Sequence, residues 1–395
     1  MPFNLALLGS GLFATNSYLP ALAKESNKEI HLHTIWSRSE KSVTTLAAKA
    51  KELGFTPRVL HGEAGLQTIW ADAAIEGVSF VLPITTQPEL IITALQHGKH
   101  VISEKPVGKD VEAAKQLIAR YESEFKPKGL VWRVAENWEH DTLIRAAGEV
   151  LRTDKALGPV LYWQFKTEAV VIDGSSYQAT SWRTIPDYQG GFLLDGGVHF
   201  AAMLRTVLPD YAVPATVIST SALHRSHIPP HDTVQGICLP AKESTTEPHG
   251  PPTALNTIND LKDIPGGTGK SAPTGSILLS WALPDTPPET RAPGGLTVTT
   301  LNGVVEITNV NRVWTLRVIP AAGSDVKPRE ETSPADGVER ELEAFVKTVR
   351  AVQQGTEDEV QARGYPTGPL WDVAFIQALL SSGGSPVDIK QLLGN

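Results

Sequence analysis

Cysteine is almost absent from these 395 residues: Cys238 stands alone. No intrachain disulfide can form, and no thiolate cluster for a metal exists. That usage fits a reducing compartment. Long apolar runs are missing too, since nothing approaches the roughly eighteen residues that a membrane-spanning helix needs. MPFNLALLGSG has no basic leader and turns to glycine too early for a signal peptide. QLLGN carries no peroxisomal, retention or prenylation signal. A cytoplasmic protein without membrane contact is expected. Positive charge is in short supply, with 35 Lys and Arg against 43 Asp and Glu and a formal charge of −8. Such a chain has no general attraction to nucleic acid or an anionic surface, which leaves a small-molecule substrate as the expected partner. Internal repeats and coiled-coil heptads are absent as well. No metal site is expected.

The length points to two domains. Phe3 to Leu8 is a short apolar run ending in Gly9, the pattern of a buried parallel strand. Gly9-Ser10-Gly11-Leu12-Phe13-Ala14 follows and leads into a helical stretch from Ser17. Strand, glycine turn and helix in that order make a dinucleotide site. Gly9 allows the tight turn, Gly11 leaves room for a pyrophosphate, and Ala14 takes the third glycine's place where helix meets strand. The phosphates would rest on amides of the helix N-terminus around Leu12 and Phe13. The second strand, Ile30 to Trp36, runs into Ser37-Arg38-Ser39, with Lys41 beyond. A guanidinium and hydroxyls suit a 2′-phosphate at the point where NAD-binding chains usually carry an acid. NADP(H) is therefore the expected cofactor, with a solvated loop arginine as the bland alternative.

Strand and helix continue to alternate. The strand Val78 to Ile84 ends around Pro83, and Gln87 lies in the turn that opens the next helix. Lys99 to Ser103 delivers Glu104-Lys105-Pro106 to its carboxyl end, and Leu130 to Ala135 delivers Glu136-Asn137-Trp138. Ligands of open α/β sheets lie outside those ends. Glu104, Lys105 and Asn137 thus join Pro83 and Gln87 as candidate cofactor contacts, although a Glu-Lys dipeptide is ordinarily a surface pair. Beyond residue 138 extended runs follow one another without helices, among them Val160 to Thr167, Thr233 to Leu239 and Val313 to Val318. That succession predicts antiparallel pairing. The expected architecture is an α/β Rossmann domain, a doubly wound parallel sheet, over 1–137. An α+β domain with a large, mostly antiparallel open sheet follows over 138–395, for substrate binding and oligomerisation. Residues 240–275 read as a surface insertion with a short helix near Leu255 to Leu261, and Gly323 to Pro334 as a polar linker. Two helices, Val338 to Gln353 and Pro369 to Ser381, come last.

The stretch GGFLLDGGVH, Gly190 to His199, places Asp195 and His199 four residues apart. On a helix they share one face. By themselves they fit either a buried hydrogen-bonded pair or chemistry. Trp138, Trp163, Tyr177, Trp182 and Arg183 lie in segments expected to line the same cleft. Aromatic faces suit a sugar ring or a flat carbonyl compound, and a guanidinium suits a carboxylate or several hydroxyls. Core packing explains any single tryptophan equally well.

The GxGxxA turn, the GKHVISEKP segment and GGFLLDGGVH, in that order, resemble the Gfo/Idh/MocA family of dinucleotide-dependent oxidoreductases. VAENW and SWR upstream of GGFLLDGGVH are most similar to its fungal NADP(H)-dependent branch. The resemblance implies that Lys105 is the catalytic lysine, beside both nicotinamide and substrate. It implies that His199 contacts the reacting oxygen and that Asp195 supports the pair. It also implies a cis Lys105–Pro106 bond and pairing of the open sheet with a second copy, as a homodimer or dimer of dimers. Gln87 departs from the histidine usual at its turn. Hydride transfer requires a proton at the substrate oxygen, and a lysine acting as base would need a lowered pKa. The expected function is NADP(H)-dependent oxidation or reduction of a sugar, polyol, aldehyde or ketone. A non-catalytic NADP(H)-sensing regulator of the same fold is the alternative, which would have no need of both Lys105 and His199.

Overall fold

Short apolar runs separated by helices close into one sheet. β1 (Phe3–Leu8), β2 (Ile30–Ser37), β3 (Arg58–His61), β4 (Gly77–Phe80), β5 (His100–Glu104) and β6 (Trp132–Ala135) pair in the order β3-β2-β1-β4-β5-β6. All neighbours are parallel. This computed structural model describes residues 2–180, 183, 185–186, 188, 190–249, 270–356 and 363–394. β4, β5 and β6 are buried at every residue, which is why their sequences show no alternation. The order reverses between β1 and β4, the point where such sheets open a crevice at their carboxyl ends.

Helices cross between these strands. Ser39 caps the helix Glu40–Glu52 by accepting from the Ser42 amide, and Asp110 caps Val111–Glu124 through the Ala113 amide at 2.7 Å. β4 stops at Phe80, short of the Ile84 expected from its apolar run. Val81 still donates to the Leu8 carbonyl, but Pro83 has no N–H to offer a ladder and turns the chain instead. The helix Gln87–Gln96 then starts with Pro88 in its first turn.

The first compact unit is discontinuous in sequence. It comprises Met1–Thr142, Gly174–Ala202 and Asp336–Gln377, so it does not follow the single division after residue 137 expected above. The physical reason lies in the helix Gly337–Gln354. Its Val338, Leu342, Phe345 and Val349 recur at helical spacing and enter the core formed by Phe3, Leu5, Leu7, Tyr18 and Leu19. Phe345 meets Phe3 edge to face at 5.8 Å.

The second unit comprises Leu143–Asp173, Met203–Ala335 and Ala378–Asn395. It holds a nine-stranded sheet of β7 (Val160–Glu168), β8 (Thr216–Ala222), β9 (Thr233–Leu239), β10 (Thr274–Ser280), β11 (Gly294–Thr300), β12 (Gly303–Val310), β13 (Val313–Pro320), β14 (Arg329–Pro334) and β15 (Val387–Asp388). Pairing is antiparallel except between β7 and β10. Burial alternates along β12 and β13, with Val305, Ile307, Trp314 and Leu316 on the covered side. β14 is a polar edge strand where a linker was expected, because an exposed edge needs no apolar signal. The short helix expected near Leu255 to Leu261 lies outside the described residues.

Candidate active site

The turn after β1 has the form its glycines demand. Gly9 adopts φ +124°, and a Cβ there would sit 2.1 Å from the Val81 carbonyl oxygen. Gly11 differs: a Cβ would meet nothing within 4 Å. Neither packing nor backbone geometry calls for glycine at that position, whereas a bound phosphate approaching the backbone does. Leu12 and Phe13 follow, half-buried, at the start of a wide helical turn, Ala14–Tyr18.

At the end of β2 a chain of hydroxyls runs from Ser10 to Ser37 at 2.8 Å, from Ser37 to Ser42 at 2.7 Å and from Ser42 to Ser39 at 2.6 Å. Arg38 follows Ser37 in the same loop and is exposed. Hydroxyls and a guanidinium around one loop fit a phosphate dianion. Pro83 is half-buried in the turn after β4, while Gln87 is buried with its Oε1 unpartnered. Asn137 begins the helix Asn137–His140 at the end of β6, and its buried Oδ1 also lacks a partner.

Chemistry-bearing side chains meet at the ends of β5 and β6. Lys105, followed by a cis bond to Pro106, donates to the Asp195 backbone carbonyl at 2.7 Å and to its Oδ1 at 3.0 Å. The other oxygen, Oδ2, accepts from Arg183 through Nε and Nη2, both at 3.0 Å. Burial pushes the Asp195 carboxyl up, but the Lys105 and Arg183 charges outweigh it and hold the group at about 2. Asp195 is thus an anion gripped by two cations. The Arg183 guanidinium lies 5.6 Å from the Tyr177 ring, within cation–π range.

His199, one turn further along the helix Gly191–Val207, has a different partner from the one its spacing suggests. Its Nδ1 is 2.6 Å from Glu136 Oε1, an oxygen that also accepts from the Trp138 amide at 3.2 Å. A carboxylate only accepts, so Nδ1 carries the proton and Nε2 is left for a ligand. The Trp138 ring stacks on the imidazole at 5.3 Å and 17°. The support expected from Asp195 therefore comes from Glu136, because the two cations already occupy both Asp195 oxygens. Glu136 escaped sequence reasoning. Its only signal was its place beside Asn137 at the end of a buried strand.

The glycines of this stretch divide in purpose. Gly191 starts the helix at φ +46°. Gly197 is small for packing, since a Cβ would come within 2.9 Å of the Ile376 side chain. Lys105, Glu136, Arg183, Asp195 and His199 all belong to the first unit, so the stretch that was expected to come from the second domain instead folds with the first. Trp163 does not join them. It is 1% exposed in the core of the second unit, where Gly275 leaves space for its ring, and it offers no face to a substrate. Trp182 lies outside the described residues.

Residues 3–127 match the model described as oxidoreductase family, NAD-binding Rossmann fold, of the Gfo/Idh/MocA type. That segment takes in β1 to β5 and is similar to the nucleotide-binding part of that family. A fungal relative, Dehydrogenase FPY6 of Fusarium mangiferae, is 29% identical over 390 residues, covering 98% of this chain and 98% of the other. The crystal structure of an oxidoreductase from Thermotoga maritima has a TM-score of 0.75 at 22% identity and 100% coverage of both chains. Levoglucosan dehydrogenase, in complex with NADH and levoglucosan, has a TM-score of 0.67 at 16% identity, over 98% of this chain and 100% of that one. These likenesses confirm the fold: a parallel Rossmann sheet followed by a mixed, mostly antiparallel one. As for location, no described helix is long and apolar enough to cross a membrane.

Proposed function

We propose that this protein is a Gfo/Idh/MocA-type, NADP(H)-dependent oxidoreductase that moves hydride between nicotinamide and a carbonyl or carbinol carbon of a small substrate. Sugars, polyols, aldehydes and ketones are the candidate class, and the levoglucosan held by a structural relative supports a sugar-like ligand. The observation that carries this reading is the Lys105–Asp195–Arg183 ion triad on the same helix face as the Glu136-oriented His199. A purely structural ion pair has no use for a second, separately oriented proton carrier.

When bound, the nicotinamide supplies or accepts the hydride. The rest falls to the chain. Gly9 to Phe13 offer amides and open space to the pyrophosphate, and Arg38 with Ser37 and Ser42 offers donors to a 2′-phosphate. The Lys105 amine spends two of its N–H groups on Asp195, one on the backbone carbonyl and one on Oδ1. An ammonium has three donors, so one N–H of Lys105 remains for the substrate oxygen. His199 presents Nε2 as an acceptor, which suits the hydroxyl of the carbinol form, and Trp138 shields one face of its ring from water. Arg183 and Tyr177 border the anion and suit hydroxyls or an acidic group.

NADPH and NADH titrations followed by tryptophan fluorescence test the cofactor. Tighter binding of NADPH, weakened about tenfold by Arg38→Ala while NADH binding stays unchanged, is the expected result. Preference for NADH would overturn it. A panel of aldoses, aldehydes and ketones, run with Lys105→Ala alongside, tests turnover. The uncovered side of the nine-stranded sheet carries Tyr162, Val304 and Ile319 in one register row, and we assign that face to a second copy of the chain. Light scattering at micromolar concentration should give a dimer or a dimer of dimers.

A further inference from the structure

Behind the site lies a group of buried acids that the chemistry above does not use. Tyr18, carried inward by the wide turn Ala14–Tyr18 that follows the glycine motif, faces the carboxyls of Glu104 and Glu341 and the hydroxyl of Ser79. Glu104 ends β5, one residue before Lys105. Glu341 is a carboxylate set among the apolar residues that the helix Gly337–Gln354 sends into the core. Glu136, which holds His199 through Oε1, turns its other oxygen inward. Glu104 Oε1, both Glu341 oxygens, Glu136 Oε2, the Tyr18 hydroxyl and Ser79 Oγ are all buried, with no protein partner at hydrogen-bond geometry.

Counting donors makes the difficulty plain. Four carboxyl oxygens face only two hydroxyl donors. Three carboxylates could not all stay charged there, because each would be desolvated beside like charges. Nor is a metal ion available as a remedy: among the described residues no group of three acids, histidines or cysteines is spaced to hold one. Protons are the remedy that the carboxyls themselves can hold, since each one placed on a carboxyl turns an acceptor into a donor. Lys105 and Asp195 also act on the cluster, but through space: Lys105 donates to Asp195, and Asp195 accepts from Lys105 and Arg183.

We propose that Glu104, Glu341 and Tyr18 form a proton-sharing cluster that positions the site: by staying uncharged it leaves the Glu136 carboxyl free to accept from His199. Glu104 and Glu341 are positioning residues and touch no substrate. Burial drives both carboxyls upward, with like charge adding to it, and the nearby Lys105 only partly offsets this; Glu104 reaches about 8. Above that pH the cluster gains negative charge, Glu136 is crowded, and the grip on His199 loosens.

The sign of the linkage gives a test that needs neither cofactor nor substrate. A buried carboxyl with a raised pKa keeps a proton that the unfolded chain, at its ordinary 4.5, has released. Its contribution to stability is complete below 4.5 and is lost as pH rises toward about 8. For each proton so held, the unfolding constant of the whole chain in urea should grow about tenfold per pH unit across that window. Glu341→Gln, which mimics the neutral acid, should flatten this slope and raise the midpoint above pH about 8; Glu104→Gln is the second variant should the first not fold. An unchanged slope, or a lower midpoint at high pH in either variant, overturns the proposal. A second readout is carbethoxylation of His199, followed by peptide mass spectrometry. Its rate should climb above pH about 8 in the natural chain and stay level in Glu341→Gln; parallel rates in both would overturn the link to His199. The proposal builds on the oxidoreductase reading only in calling His199 functional. Should the substrate panel fail, the unfolding slopes and labelling rates still decide this cluster.

Discussion

Asp195 and Glu104 are both 8% exposed, and both feel the charge of Lys105. Yet one is held at about 2 and the other rises to about 8. Depth of burial is therefore not what separates them. Asp195 has two cations at 3.0 Å on separate oxygens. Glu104 faces Tyr18 and two other acids, and Lys105 reaches it only through space. Burial raises the stakes of an electrostatic contact, and the sign of the neighbours decides the outcome. Two carboxyls pushed apart in this way, in one small region, are the usual mark of a site that handles protons.

Lys105→Ala removes the charge that both acids share. It should cost turnover about 10²–10⁴-fold, the ordinary worth of a positioned proton donor, seen as a fall in kcat/KM on any active substrate. Asp195→Asn attacks one side alone by leaving two buried cations without their anion. A loss of about 3–5 kcal/mol is expected in urea denaturation near neutral pH. The same variant removes an acid limb: a carboxyl with a depressed pKa adds stability that is present above 3.8 and is lost as pH falls toward about 2. A natural chain whose stability is flat across that interval would break the comparison. Glu136→Gln keeps the shape between the two regions but weakens the grip on His199. It should lower kcat about 100-fold with KM little changed. Smallest is Arg183→Lys, which preserves charge but loses the two-pronged contact with Oδ2. About 1.5 kcal/mol of stability should go, measured by thermal or urea unfolding.

Much of the first unit was legible in sequence because its signals are local. β1, the glycine turn and the strand leading to Lys105 depend on short apolar runs and on two glycines. Asp195 and His199 share a helix face because four residues make roughly one turn. What four residues cannot say is which partner each side chain finds. His199 is paired with a glutamate 63 positions earlier in the chain, a contact set by the neighbouring strand end rather than by any pattern around the histidine. Trp163 was misread for a related reason: an aromatic residue in a strand looks the same whether its ring faces ligand or core. Glu341 did leave a mark, as a charged residue inside the apolar stripe that includes Val338, Leu342 and Phe345, and an unexplained charge at such a position is worth pursuing.

The helix Gly337–Gln354 has a consequence for how the protein is made. Its apolar face closes the core that begins at Phe3, so the nucleotide-binding portion, although encoded first, cannot seal on the ribosome when its own strands emerge. Phe3 must wait without its Phe345 partner while the whole of β7 to β14 is translated. Synthesis order and folding order are thus at odds in this chain. The interval between them is when the earlier of these two segments is most open to chaperones, and to aggregation.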